Sequence, residues 1–64
     1  MTNNIEKLRK EKGITQEEFA GLMEVSRQTI SSLEHGKYNP SIFLAHRIAA
    51  YFGMAIEDVF IFED

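Results

Sequence analysis

The feature of this chain that most restricts its fold is a pair of helix-start signals separated by a very short connection. Thr15 is followed three residues later by Glu18, the pattern of a capping box, and Ser26 supplies the next hydroxyl cap. Glu24 and Val25 are left for the connection between the two predicted helices. So tight a connection predicts two short helices that cross at a steep angle and share one apolar centre.

Further start and stop signals predict five short helices in all. They are expected at residues 4–12, 15–23, 26–35, 40–52 and 56–59. Gly13, Gly36 and Gly53 each stand just after a predicted helix, where a left-handed residue commonly ends one. Pro40 is tolerated in a first helical turn and Ser41 can cap it, so the fourth helix is predicted to start there.

The apolar pattern predicts a core shared by all these helices. Phe19, Ala20 and Met23 form one stripe on the second helix, and the fourth carries a face made of residues 42, 45, 49 and 52. Its other apolar residues, Phe43, Leu44, Ala50 and Tyr51, predict cover on more than one side. The tail, Phe60-Ile61-Phe62, is too apolar to lie free in water. A 64-residue chain is also near the lower size limit for folding alone, which favours a dimer.

The net charge of −3 at first argues against a nucleic-acid partner, because phosphate attraction usually leaves a basic surface. The distribution weakens that objection, since residues 1–12 and 26–37 are each net positive. The acids gather in the second predicted helix and at residues 57–64. There they would oppose unspecific DNA binding rather than a local contact.

The third predicted helix presents hydrogen-bonding groups where most surface helices present charge. Ile30 and Leu33 anchor its inner side. The outer side carries Arg27, Gln28, Thr29, Ser31 and Ser32. These groups suit the flat polar edges of stacked bases. An ordinary solvated helix face is the alternative, and the surrounding helix spacing favours the base contact.

The stretch from Thr15 to Pro40, T-Q-E-E-F-A-G-L-M-E-V-S-R-Q-T-I-S-S-L-E-H-G-K-Y-N-P, resembles the Cro/C1-type (Xre) repressor family, and the likeness continues through I-A-A-Y-F-G and I-E-D-V-F. The resemblance implies one all-α domain over residues 1–64, a compact five-helix lambda-repressor-like fold with its helix-turn-helix at about 16–35. It also implies that residues near 1–4 pair with the tail as a two-stranded β-ribbon. The function implied is that of a homodimeric, cytoplasmic transcriptional repressor that binds double-stranded DNA sequence-specifically at an inverted-repeat operator.

The resemblance assigns roles to individual residues. Base contacts are expected from Arg27, Gln28 and Ser32. Backbone contacts are expected from Gln16, Thr29, Ser31, His35, Lys37, Tyr38 and Asn39. Arg9 and Glu34 match a structural ion pair that ties the first helix to the third, although two free surface charges are the alternative. A dimer contact is expected from Leu44, Tyr51, Met54, Phe60 and Phe62.

Two positions depart from the pattern of the family. Glu24 stands in the turn where glycine is common, so a side chain has to tolerate positive φ. Ala55 stands where the fifth helix would ordinarily have a hydroxyl cap, which leaves that helix start without a side-chain acceptor.

Other function classes find little support in the residues. The chain has no cysteine and no apolar run near the length of a membrane helix, and a signal peptide is not expected. Ser32 and His35 lie one turn apart with nothing to orient the imidazole, so catalysis is not expected, and neither a cofactor nor a metal is expected. The rival from another class is an antitoxin or antirepressor on the same fold, gripping a basic protein with the acidic C-terminal surface.

Overall fold

A computed structural model describes residues 2–61, in which five helices are flanked by two short strands. The elements are β1 (Thr2–Asn3), α1 (Ile5–Glu11), α2 (Gln16–Met23), α3 (Arg27–Glu34), α4 (Ile42–Phe52), α5 (Ile56–Val59) and β2 (Phe60–Ile61). The predicted order and number of helices are therefore confirmed within this range. None of these helices combines the length and hydropathy needed to cross a membrane.

Side-chain caps fix where the central helices begin. Thr15 and Glu18 form the predicted capping box, in which the Glu18 amide donates to Thr15 Oγ1 at 3.1 Å and the Thr15 amide donates to Glu18 Oε1 at 2.8 Å. Ser26 and Ser41 each accept from the amide three residues on, at 3.1 Å. Because Ser41 is the cap, Pro40 lies outside α4, and the helix starts later than predicted.

The connection between α2 and α3 turns sharply at Glu24, which has φ 61° and ψ 40°. The amide of Val25 then donates to the carbonyl of Ala20 at 3.0 Å, closing the end of α2. Ala20 is 3% exposed at the crossing, and Ile30 and Leu33 are fully buried beneath α3. Ala20 is thus buried with the rest of its predicted apolar stripe, and Ile30 and Leu33 anchor the inner side of α3 as predicted.

The core lies between α2, α3, α4 and the terminal elements. Its largest fully buried side chains are Phe19, Phe60, Ile5, Ile30, Leu33, Ile48 and Val59. The Phe19 ring also packs against the rings of Tyr51 and Phe52, with centroids 5.6 Å and 5.4 Å away. Since one aromatic ring contacts α4 from α2, this cluster joins the helix-turn-helix to the C-terminal half of the chain.

The two strands pair antiparallel, with Thr2 opposite Ile61 and Asn3 opposite Phe60. The predicted ribbon between the N-terminus and the tail is therefore present. Met1 and Phe62, which the prediction also included, lie outside the described residues. Because Phe60 is drawn into the core, the ribbon is anchored to the helices and not attached only by its backbone.

Three apolar positions differ from the sequence prediction. Phe60 is 1% exposed and Leu44 is 8% exposed within the single chain, so neither offers appreciable surface for the predicted dimer contact. Ile42, placed by periodicity on the buried face of α4, is 67% exposed. The physical reason is that the core-facing side of α4 consists of residues 44, 45, 48 and 49, which turns the first residue of the helix away from the interior.

Replacing Glu24 by glycine is expected to raise the free energy of unfolding by about 1 kcal/mol. A residue with a Cβ in the left-handed conformation costs about 1–2 kcal/mol, and glycine avoids this cost. Part of the gain in stability is lost again, because glycine has greater conformational freedom in the unfolded chain. Urea denaturation measures the change. Glu24→Ala is the matched control, because it removes the exposed carboxylate 3.6 Å from Arg47 but keeps the Cβ. Equal stabilisation by both substitutions would show that backbone strain is not the cause.

Candidate nucleic-acid interface

The outer face of α3 is polar and open to solvent, while its inner face is closed by the core. Arg27 and Gln28 are exposed at its N-terminal end, and Thr29, Ser31 and Ser32 are half-buried. The cap at Ser26 fixes the start of this helix, since its Oγ accepts from the Thr29 amide and lies 3.0 Å from Thr29 Oγ1. Side chains of the first turn are therefore presented on a rigid helix end.

A shallow depression of about 290 Å³ adjoins this face. It is lined by Ser26, Gln28, Thr29, Ser32, Lys37 and Tyr38. The fold thus brings two of the predicted base-contacting side chains together with three of those predicted to contact the backbone. Arg27 is not among the lining residues and lies instead toward the start of α2.

The loop after α3 leaves the helix through a left-handed glycine. Gly36 has φ 72°, and the amide of Lys37 donates to the carbonyl of Ser32 at 2.9 Å. Lys37, Tyr38 and Asn39 follow, and all three are exposed. One cation, one phenol and one amide therefore stand at the edge of the polar face, a composition suited to phosphate oxygens.

Arg9 and Glu34 are in contact across α1 and α3. Arg9 Nε donates to Glu34 Oε2 at 2.7 Å, and Arg9 Nη2 donates to Oε1 at 3.3 Å. Both side chains are buried, at 8% and 2% exposure, so the two predicted partners are not free surface charges. A third donor of the guanidinium, Nη1, reaches the carbonyl of Ile14 at 2.9 Å. The pair therefore links α1, the connection before α2, and the end of α3.

The charged form of Arg9 is favoured by this geometry. The hydrogen bond that Arg9 donates to Glu34 raises the pKa of Arg9, burial acts in the opposite direction, and the charges of Glu34 and Glu6 raise it further. A raised folded-state pKa stabilises the fold at every pH below the unfolded value for arginine, and the contribution is lost only at strongly alkaline pH. Arg9 stays charged throughout the neutral range.

Gln16 has a role that sequence reasoning did not find. Its Nε2 donates to Glu34 Oε1 at 2.9 Å, and its Oε1 accepts from Arg27 Nη1 at 3.5 Å. The side-chain amide predicted to contact the backbone of DNA is thus committed to the buried carboxylate. No local pattern signals this contact, because Gln16 and Glu34 are separated in the chain and meet only through the crossing of α2 and α3.

His35 lies at the end of α3, exposed, with Nδ1 2.7 Å from the carbonyl of Ser31. Because a carbonyl can only accept, the ring nitrogen at this contact carries the proton. The imidazole therefore adds a second hydrogen bond to a carbonyl that already accepts the backbone amide of His35. His46 is on α4, and no group of three His, Asp or Glu side chains within residues 2–61 is arranged to hold a metal ion.

Asn3 makes a second contact that sequence reasoning did not find. Its Nδ2 donates to the carbonyl of Leu33 at 2.7 Å, so the first strand is bonded to the last turn of α3. Asn3 and Leu33 are 30 positions apart in the chain. They come together because the ribbon holds β1 against the helices. Both ends of α3 are therefore contacted by residues from other elements.

The Arg9–Glu34 pair is expected to dominate the stability of this region. Arg9→Met or Glu34→Met alone leaves the partner charge buried, which costs about 3–5 kcal/mol. The double substitution Arg9→Met with Glu34→Met removes both charges and is expected to recover most of that loss. Urea denaturation followed by circular dichroism measures all three proteins. A double variant as unstable as the sum of the single losses would show that the two side chains are not coupled.

Comparison with known proteins agrees with this geometry. The helix-turn-helix family model matches residues 5–59. An HTH-type transcriptional regulator of Methanocaldococcus jannaschii is 50% identical over 64 residues, covering 100% of this chain and 97% of the relative. A second one, from Archaeoglobus fulgidus, is 52% identical and covers 100% and 91% of the two chains. The control protein C.MunI of a Mycoplasma species is 39% identical over 59 residues, with 91% and 80% covered.

Proposed function

The chain belongs to the Cro/C1-type helix-turn-helix family of transcriptional regulators, and we propose that it is a homodimeric repressor that binds double-stranded DNA sequence-specifically. One observation carries the proposal. The polar outer face of α3 meets the exposed side chains of Lys37 and Tyr38 at one depression, which combines groups for reading bases with groups for holding phosphates. The relatives from Methanocaldococcus and Archaeoglobus, which match over nearly their whole length, support the regulatory role.

In this proposal the first turn of α3 enters the major groove. Gln28 is exposed there and can bridge N6 and N7 of adenine, while Arg27 can bridge O6 and N7 of guanine. Ser32 lies one turn further on and lines the same depression as Gln28, so it contacts an adjacent base edge. These three side chains supply the sequence preference.

Phosphate contacts surround that centre. Lys37 supplies charge, and Tyr38 and Asn39 supply hydrogen bonds at the exit of α3. Thr29, Ser31 and His35 lie along the flank of the helix. Gln16 contributes through its main-chain amide at the start of α2, since its side chain is held by Glu34.

A homodimer would place two such faces on one side of a duplex. Tyr51 is half-buried and Met54 is 36% exposed, so these two predicted dimer residues retain surface for a second copy. Two-fold symmetry then matches an inverted repeat whose half-sites are about 34 Å apart, one turn of the double helix. A short chain also gains from the apolar surface that a partner covers.

Duplexes selected from a random pool are expected to share a two-fold symmetric sequence, and their affinity is expected to fall as salt rises. Each phosphate neutralised by the protein contributes about −0.9 to the slope of log K against log salt concentration. Fluorescence anisotropy at several salt concentrations gives the slope. A slope near zero with every selected duplex would reject phosphate neutralisation and favour a protein partner instead.

Gln28→Ala and Lys37→Ala are expected to have different effects on binding. Loss of Gln28 removes a base contact, so binding to the preferred duplex falls by about 1–3 kcal/mol and selectivity relaxes at one position. Loss of Lys37 weakens all sequences alike and reduces the magnitude of the salt slope by about 1 for each protomer. Titration of both variants against matched and single-mismatch duplexes measures these effects. Equal losses on every duplex for both variants would remove the specificity role of Gln28.

A further inference from the structure

Asn3 joins two parts of the fold through the two ends of its side-chain amide. Oδ1 accepts from the amide of Ile5 at 3.1 Å, at the start of α1. Nδ2 donates to the carbonyl of Leu33 at 2.7 Å, in the last turn of α3. The side chain is part-buried, and its backbone is held opposite Phe60 in the ribbon. Asn3 thus connects the C-terminal end of α3 to the start of α1.

The carbonyl that Asn3 contacts also determines how the chain leaves α3. Leu33 accepts the amide of Gly36 at 3.0 Å, and Gly36 turns into the left-handed region before Lys37. The Leu33 carbonyl already has a hydrogen-bond partner in the Gly36 amide. The second hydrogen bond, from Asn3, therefore serves to fix the orientation of this carbonyl. A fixed Leu33 carbonyl holds the turn at Gly36 in place, and this turn sets the direction in which the chain continues to Lys37.

We propose that Asn3 is a positioning residue for DNA binding, which sets the direction in which the chain leaves α3 toward Lys37 and Tyr38. The inference rests on the proposed function and deepens it, because the loop is the proposed phosphate contact. The terminal ribbon then does more than cover the core. It acts on the DNA-contacting surface through one side-chain amide and without touching DNA.

Asn3→Asp tests this role with little change in shape. The variant keeps an oxygen that accepts from Ile5 but replaces the donor to Leu33 by a second acceptor, which a carbonyl repels. Asn4→Asp is the matched control. It adds the same charge at the next residue and removes the same kind of donor, since Asn4 Nδ2 donates to the carbonyl of Asp58 at 3.2 Å, away from α3.

Asn3→Asp is expected to weaken binding to all duplexes by about five- to tenfold, the effect of one lost hydrogen bond, whereas Asn4→Asp changes it by less than about twofold. In the absence of DNA, amide hydrogen exchange at Gly36 and Lys37 is expected to be faster in Asn3→Asp than in Asn4→Asp. Equal affinities and equal exchange in the two variants would overturn the positioning role.

A neutral variant distinguishes the loss of the hydrogen bond to Leu33 from the effect of an added negative charge. Asn3→Ser keeps an oxygen near Ile5 and is too short to reach Leu33, so it is expected to reproduce the faster exchange and the weaker binding without added charge. Unchanged exchange and affinity in Asn3→Ser would overturn the proposal. If the unaltered protein binds no duplex, the proposed function fails, yet exchange at Gly36 still decides whether Asn3 holds the turn.

Discussion

The buried pair of Arg9 and Glu34 is the interaction on which the position of α3 and its polar face depends. A single guanidinium donates to Glu34 on α3 and to the carbonyl of Ile14 before α2, and thereby ties three elements at one point. Burying two charges costs several kcal/mol each, which their attraction only offsets, so an apolar pair could be equally stable. What the ions add is direction, because the N–H groups of the planar guanidinium donate to their partners in one arrangement. The pair fixes where α3 lies relative to α1.

The same pair is connected to residues at both ends of α3. At the N-terminal end, Glu34 holds Gln16, whose oxygen accepts from Arg27. At the C-terminal end, Glu34 itself belongs to the last turn, where Asn3 holds the preceding carbonyl. A helix of two turns has little stability of its own and would otherwise fray. Contacts at both ends hold its side chains in place before any duplex arrives, which lowers the ordering cost of binding.

Local features of this fold were predictable from the sequence, and features made by distant residues were not. The capping box at Thr15, the caps at Ser26 and Ser41 and the positive φ of Glu24 each depend on a few neighbouring residues, and all agree with the structure. The burial of Phe60 and the exposure of Ile42 depend instead on how the ribbon and α4 pack against the core. The amide contacts of Gln16 and Asn3 were missed for the same reason, since hydrogen-bond partners far apart in the chain leave no periodic pattern.

The negative net charge becomes consistent with a DNA-binding role once the acids are placed on the fold. Glu17 and Glu18 lie in the first turn of α2, and Glu57 and Asp58 lie in the first turn of α5. A carboxylate there stabilises the helix, because the N-terminal end of a helix dipole is positive. The carboxylate of Glu18 is engaged by the amide of Thr15. These charges serve helix formation, but they also reduce the general attraction between protein and phosphate. In the proposed function, binding then comes from short-range contacts at the α3 face, and a protein with weak general attraction discriminates more strongly between a specific site and the remaining DNA.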